Sequence, residues 1–309
     1  MAKYKIIVNP TSGRGNGGRS IPLIEDALQR RGLEYDLIRT ERPWHAAELA
    51  RQAAHDGYDV VVSGGGDGTA NEVVNGLMLA KQDGKPAAMG ILSIGRGNDY
   101  AFGMTVPNGV EAGCQVLADN KRHWVDVGHV VGGDYPQGRY FGNGVGVGFD
   151  AVVGFEALKL KWLTGFPSYI VATLKTVYIY NGVPLRVVHD NGSFDRTCLM
   201  VSIMNGRRLG GGFMMAPQGQ ADDGVFDVCV ARQVGRGRVF TLVPHFMKGT
   251  QATQPEIEMV RTSKLTVTAL QATLPVHVDG ETLCTNGTEI TVQALPRQLE
   301  FVHSGVEAS

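Results

Sequence analysis

The stretch SGGGDGTANEVVNGL, Ser63 to Leu77, gathers glycines around one carboxylate, Asp67, between two patterned flanks. Before it, Tyr58-Asp59-Val60-Val61-Val62 is a β-branched run bounded by glycine, the pattern of a strand buried on both faces. After it, Val73, Val74, Leu77 and Met78 recur at helical spacing. The glycines therefore form a strand-to-helix turn. Such a turn aims backbone N–H groups from a helix N-terminus, where unpaired donors and the dipole attract phosphate. Glycine removes the Cβ that would hold a phosphate off the backbone. Asp67 would repel that phosphate unless a cation intervenes, and a magnesium nucleotide satisfies both. The competing reading is an ordinary glycine-rich turn with Asp67 capping the helix.

Composition narrows the field. A chain of 309 residues with a hydrophobic fraction of 43% can bury a sizeable core in two domains. Its formal net charge of −1 gives no global field to recruit nucleic acid. Cys114, Cys198, Cys229 and Cys284 are widely spaced, without metal-ligand or disulfide-framework spacing, which fits a reducing cytoplasm. The N-terminal segment MAKYKIIVNP is too short and polar for a signal peptide, and no apolar run is long enough to span a membrane.

Strand-like and helix-like segments alternate up to about residue 120: KYKIIVNP, IPLIEDALQRRG, EYDLIRT, HAAELARQAAHDG, YDVVVSGGGDG, AAMGILSIGRGND and GVEAGCQVLADN. That alternation predicts an α/β domain, doubly wound around a parallel sheet, over residues 1–124. Ligands bind such sheets beyond the carboxyl ends of the strands. Asn9 to Gly13, Thr40, Gly64 to Thr69 and Gly95 to Asp99 all fall there. From residue 125 to 295 the segments are short, β-rich and split by glycine or Asn/Asp turns, predicting a mostly antiparallel β-sandwich. Helical pattern survives at YIVATLKTVYIYNG and GRVFTLVPHFMKGT, and residues 296–309 are expected to complete the first domain.

Six segments together resemble the bacterial diacylglycerol kinase family of soluble lipid kinases, related to sphingosine and ceramide kinases. VNPTSGRG is similar to its NPxSG loop, GGGDGTANEVVNGL to its GGDGT loop and ILSIGRGNDYAFGM to its third nucleotide loop. NGVGVGFDA, GGGFMMAPQGQADDGVFDV and VHVDGETL resemble three motifs of its second domain, in order. The resemblance covers nearly the whole chain. It implies a nucleotide domain like that of phosphofructokinase and NAD kinase, ATP as phosphoryl donor, Mg2+, and a lipid hydroxyl at a membrane surface as acceptor. A NAD kinase-like phosphotransferase and a non-catalytic lipid- or nucleotide-binding protein are the alternatives. The acceptor lipid and the oligomeric state, monomer or homodimer, stay open.

Residue by residue, the resemblance makes Glu281 the general base and Asp67 the carboxylate that orients magnesium. It brings Asn9, Ser12, Thr40 and the backbone of Gly65, Gly66, Gly68, Thr69, Ala70 and Asn71 to the nucleotide, together with Asn98 and Asp99. Taken alone, Asn9 and Ser12 suit a simple turn, Thr40 and Asp99 suit helix caps, and Asp279-Gly280 suits a hairpin. Asp126 and Asp279 are expected in support. A structural magnesium carries over to Asp223 with the carbonyls of Gln220 and Val225, assisted by Asp222; hard oxygen ligands suit that ion. Arg96 departs from the family's threonine and Ser93 from its proline, so Arg96 either grips phosphate or turns to solvent. Glu281 is expected to be partly buried, which would strengthen it as a base. In FEALKLKWLTGFPSYI, Lys159, Lys161, Trp162 and Phe166 suit either a lipid-facing surface or a core helix with solvated lysines.

Overall fold

The computed structural model describes residues 2–160, 162–163 and 165–305. The chain divides into two compact units, Met1–Val127 with Arg297–Ser309, and Gly128–Pro296.

In the first unit, strands and helices alternate as β1 (Lys3–Val8), α1 (Ser12–Arg30), β2 (Glu34–Arg39), α2 (His45–His55), β3 (Val60–Gly65), α3 (Asp67–Gln82), β4 (Ala88–Ser93), α4 (Asp99–Gly103), α5 (Val110–Asp119) and the start of β5 (Arg122–Gly132). β2, β1, β3 and β4 lie side by side and all parallel. The β-branched run at 60–62 sits at the centre, fully buried, because a strand covered on both faces can take apolar residues at every position. α1 and α5 cover one face, while α2 and α3 cover the other. The first helix turns out longer than its apolar pattern, starting at Ser12, with left-handed backbone at Gly13, Arg14 and Gly15 before the regular turns.

The second unit contains β6 (Tyr135–Phe141), β7 (Gly144–Gly148), α6 (Phe149–Lys159), α7 (Phe166–Ile179), β8 (Val183–His189), β9 (Gly192–Met204), β10 (Phe226–Arg232), α8 (Arg236–Lys248), β11 (Ile257–Thr262), β12 (Lys264–Ala269), β13 (Leu274–Val278), β14 (Glu281–Gly287) and most of β15 (Glu289–Val302). Its pairings are antiparallel and form a sandwich. β9 turns the corner: Gly192–Cys198 pairs with β8, whereas Met200–Met204 pairs with β7 and β10. Period-two alternation sorts the side chains of that second stretch. Val201, Ile203, Val228 and Val230 enter the sandwich core, and Met200, Met204, Cys229 and Ala231 pack under the helices. The helices at 166–179 and 236–248 fall where the helical pattern survives; α6 is an addition to that reading. The chain then returns to the first unit, where Phe301 of β15 pairs in parallel with Met89.

One buried hydrogen bond joins β1 to α5: Tyr4 Oη donates to the Leu117 carbonyl at 2.8 Å, with Tyr4 only 1% exposed. Tyr4→Phe leaves that last-turn carbonyl without its donor. The variant is expected to lose about 1–2 kcal/mol in urea unfolding with its circular dichroism unchanged; an unmoved midpoint would show the bond to be dispensable.

Candidate active site

In the first unit the loops after β1, β3 and β4 meet. Asn9 N donates to the Gly64 carbonyl at 2.9 Å, and the amides of Ile94 and Gly95 both donate to Gly65 at 3.0 and 2.9 Å. A methyl group placed on Gly95 would stand 2.3 Å from the Gly66 Cα, so the loops approach at backbone distance. Asn9 then ties the first loop to α3: its Nδ2 donates to Thr69 Oγ1 at 3.1 Å, and its Oδ1 accepts from Thr11 N and Oγ1. Ser12 N closes the turn on the Asn9 carbonyl at 3.1 Å. Thr40 is buried at the end of β2 and donates its amide to Val8 at 2.9 Å. Asn9, Ser12, Thr40 and the glycine loop are therefore brought together.

The donors of that loop are fewer than the sequence suggests. Ala70 N already donates to the Gly66 carbonyl at 3.0 Å, and Asn71 lies one residue deeper in the helix. Gly68 and Thr69, in the first turn, precede any helical acceptor, and no side chain caps the helix. The Asn71 side chain is buried beside Asn75, whose Nδ2 donates to Asn71 O at 2.8 Å.

Asp67 and Asp99 flank a single glycine. A methyl group on Gly97 would lie 2.9 Å from Asp67 Oδ2 and 3.4 Å from Asp99 Oδ2. Asp67 Oδ1 accepts the Tyr100 amide at 3.0 Å. The cap of α4 is Asn98, in left-handed backbone at φ 51°, and Asp99 is the first helical residue, which corrects its reading as a cap. The buried hydroxyls of Ser63 and Ser93, and Asn98 Oδ1, have no hydrogen-bond partner among the described residues. Two hard carboxylates, outward amides and unpartnered buried polar atoms fit a phosphate ligand with its cation. Arg96 is exposed and has no ion-pair partner among the described residues. Asp126 is fully buried on β5, and its Oδ1 accepts the Arg297 amide at 2.7 Å.

In the second unit, Asp279 is a positioning group. Its Oδ2 accepts the Gly142 amide at 2.9 Å, and its Oδ1 accepts Asn143 and Gly144 at 3.0 and 2.8 Å. Those bonds fix the turn that starts β14, and Glu281 is its first residue. Glu281 is exposed rather than partly buried, because a tight turn lifts the residue that follows it off the sheet.

Asp223 accepts the Val225 amide at 3.1 Å and forms an ion pair with Arg261, whose Nε also lies 3.7 Å from Asp227. Gln220 and Asp222 are exposed on the same turn. A magnesium ion here would compete with the guanidinium for Asp223. As they stand, these residues do not fit the ion, since Asp223 has its counter-charge from the chain itself. Two of the three glycines at 210–212 lie against α7: a methyl on Gly210 would meet Tyr169, and one on Gly212 the Phe166 ring. Phe166, half-buried, packs on Phe213 with ring centroids 5.4 Å apart, so it leans on the core. Lys159 pairs with Glu156 at 2.6 Å, Trp162 is 72% exposed, and Lys161 lies outside the described residues.

The sequence reading passed over a buried polar group in this unit, Asp150, Ser202 and His277. A methyl on Gly146 would collide with both His277 Nε2 and Asp150 Oδ2. Ser202 Oγ donates to Asp150, and His277 Nδ1 has no partner among the described residues. Burial pushes the Asp150 carboxyl up to about 7, against the lowering effect of Ser202 and the Ala151 amide. Burial likewise pushes His277 down to about 4. The signal available was the carboxylate closing the glycine-alternating run NGVGVGFDA.

The two halves of the chain match two family domains, the diacylglycerol kinase catalytic domain over residues 3–130 and the YegS C-terminal NAD kinase beta sandwich-like domain over residues 143–303. The chain belongs to the bacterial diacylglycerol kinase family. A diacylglycerol kinase of Staphylococcus aureus is 27% identical over 280 residues, covering 90% of this chain and 86% of its own. One from Staphylococcus haemolyticus is 27% identical over 278 residues, covering 90% and 81%. The crystal structure of a diacylglycerol kinase from Bacillus anthracis superposes with a TM-score of 0.75 at 19% identity, covering 98% of this chain and 97% of its own. An NAD kinase from Archaeoglobus fulgidus, solved in complex with ATP, shares the fold at a TM-score of 0.53 and 15% identity, covering 99% and 94%. No helix among the described residues is long and apolar enough to cross a membrane.

Asp150 makes stability depend on pH. Its folded value, about 7, lies above the ordinary 3.8, so its contribution is whole below pH 3.8 and lost as pH rises through 7. His277, lowered from 6.5 to about 4, contributes fully above pH 6.5 and loses that as pH falls through 4. The two oppose each other over one window. Asp150→Asn is therefore expected to gain stability relative to wild type between pH 4 and 7, read as the difference in urea midpoints. A difference that stays constant over that range would contradict the assignment.

Proposed function

We propose that this chain is a lipid kinase that moves the γ-phosphoryl group of ATP to a hydroxyl of a diacylglycerol-like lipid. The observation that carries this reading is the pair of touching glycine loops, with Asp67 and Asp99 flanking Gly97, at the carboxyl ends of a parallel sheet. Phosphoryl transfer asks a protein for position and charge stabilisation more than for covalent chemistry. The Gly68 and Thr69 amides bind phosphate oxygens, helped by the N-terminal dipole of α3. Asn9 keeps that first turn in place through Thr69. Bound magnesium would neutralise charge on the transferring group, and Asp67 and Asp99 are the residues that would hold it or its waters.

Glu281 takes the proton of the lipid hydroxyl as its oxygen bonds to the γ-phosphorus and the bond to the departing ADP oxygen breaks. An exposed carboxylate is a weak base for an alcohol, so the proton moves together with bond formation, not ahead of it. Asp279 orients Glu281 by holding the preceding turn on three amides. Exposed Trp162, with Leu158 and Tyr178 also exposed on the helices beside it, supports contact with a lipid surface.

Asp67→Asn is expected to abolish transfer, because the amide keeps the shape of the loop but loses the charge that holds the ion. Glu281→Gln is expected to slow the chemical step by roughly 10²–10⁴, the range for a lost general base, while ATP binding stays near wild type. Full turnover in Glu281→Gln would remove it from the mechanism. Trp162→Ala is expected to raise the KM for diacylglycerol in vesicles several-fold and leave the KM for ATP alone. Equal KM values for vesicle lipid would place Trp162 away from the membrane.

A further inference from the structure

The first unit has a cavity of about 450 Å3 at the other end of its sheet from the glycine loops. Its walls include Asp59, just before β3 begins, and Ala88, where β4 begins, so it opens on the amino ends of those strands. Lys81 and Leu77 of α3, Lys85, Leu299, and Arg122 and Trp124 of β5 contribute the side chains that matter. α3 starts at Asp67 and carries Lys81 in its last turn, roughly 21 Å further along the axis.

The charges lining this cavity are unevenly committed. Glu300 accepts from Arg122 Nη1 at 3.1 Å, and Asp59 Oδ2 accepts the Lys3 amide at 2.8 Å. Lys81 Nζ donates to the Gln298 carbonyl at 2.6 Å and stands 5.3 Å from the centre of the Trp124 ring. No carboxylate lies within ion-pair distance of Lys81 or Lys85 among the described residues. An ammonium has three donors, and one carbonyl uses one of them. Burial lowers the Lys81 pKa, the sign of a cation deprived of water without a full counter-charge. Trp124 is 46% exposed, a large flat ring left open beside that cation.

We infer that this cavity is a second ligand site, separate from the nucleotide loops, that takes a small organic anion: an anionic head on Lys81 and a flat apolar body against Trp124. The volume is in the range of small-molecule sites, and the walls combine apolar side chains with a few placed cations, as such sites do. An anion at Lys81 supplies the kind of counter-charge that Glu300 gives Arg122, and the body covers apolar surface that is otherwise open. Neither half should bind well alone.

The test is calorimetric titration of the full chain with naphthyl phosphate, with naphthol, and with inorganic phosphate. Naphthyl phosphate is expected to bind one to one, with naphthol and phosphate each weaker by about tenfold or more, as expected when a charged hydrogen bond or the apolar contact is missing. Lys81→Met, which keeps the stem and removes the charge, is expected to weaken naphthyl phosphate by about tenfold or more. Trp124→Leu makes the same point from the other half, and carries the test should Lys81→Met fail to fold in a melt. Saturating ATP is expected to leave the binding in place. Displacement by ATP, or naphthyl phosphate affinity unchanged in both variants, would overturn the inference.

Discussion

The arrangement of the first unit depends on one close approach, backbone against backbone, between Gly66 and Gly95. The Gly65 carbonyl accepts two amides from the opposite loop, so the loops after β3 and β4 behave as one surface. Any side chain at residue 95 would drive them apart. That contact brings Asp67 and Asp99 to either side of Gly97 and leaves the first amides of α3 facing outward. Like charges this close repel, and in the proposed reaction a bound cation would relieve them. Without the contact, Asp67 is a helix-terminal acid with no chemical consequence.

The second unit builds its own fixed point in a different way. Three consecutive backbone amides, from Gly142 to Gly144, converge on the Asp279 carboxylate, which is 3% exposed. A carboxylate satisfied by amides holds its charge inside the protein without a metal. The turn on Asp279 sets where Glu281 emerges. Asp223 solves the same problem with a guanidinium, through Arg261. In both places the chain itself neutralises a carboxylate that the sequence alone would assign to an ion or leave to solvent.

Much of this was legible in the residues. The β-branched run at 60–62 and the glycine cluster after it marked the central strand and its turn, because both signals are local in the chain. Short β-rich segments split by turns marked the second unit as antiparallel, and the order of six motifs located the family. What stayed hidden required partners from distant segments. Arg261 on β11 meets Asp223 in the turn that precedes β10, and Asp150, Ser202 and His277 come together from three separate elements. Phe166 stayed open between a lipid-facing surface and a core helix because the phenyl ring it packs on, that of Phe213, lies beyond the helix it begins. The exposure of Glu281 follows from the geometry of a turn, which composition does not encode.

The glycine loops, in the proposed reaction, serve transfer of phosphate from ATP to a lipid hydroxyl. That transfer is tested most directly by incubating the wild-type protein with γ-labelled ATP and magnesium, with diacylglycerol in mixed micelles in one reaction and NAD in another. Label is expected in the lipid phosphate and none in the dinucleotide. Label in NADP, or hydrolysis of ATP with no labelled lipid, would contradict it.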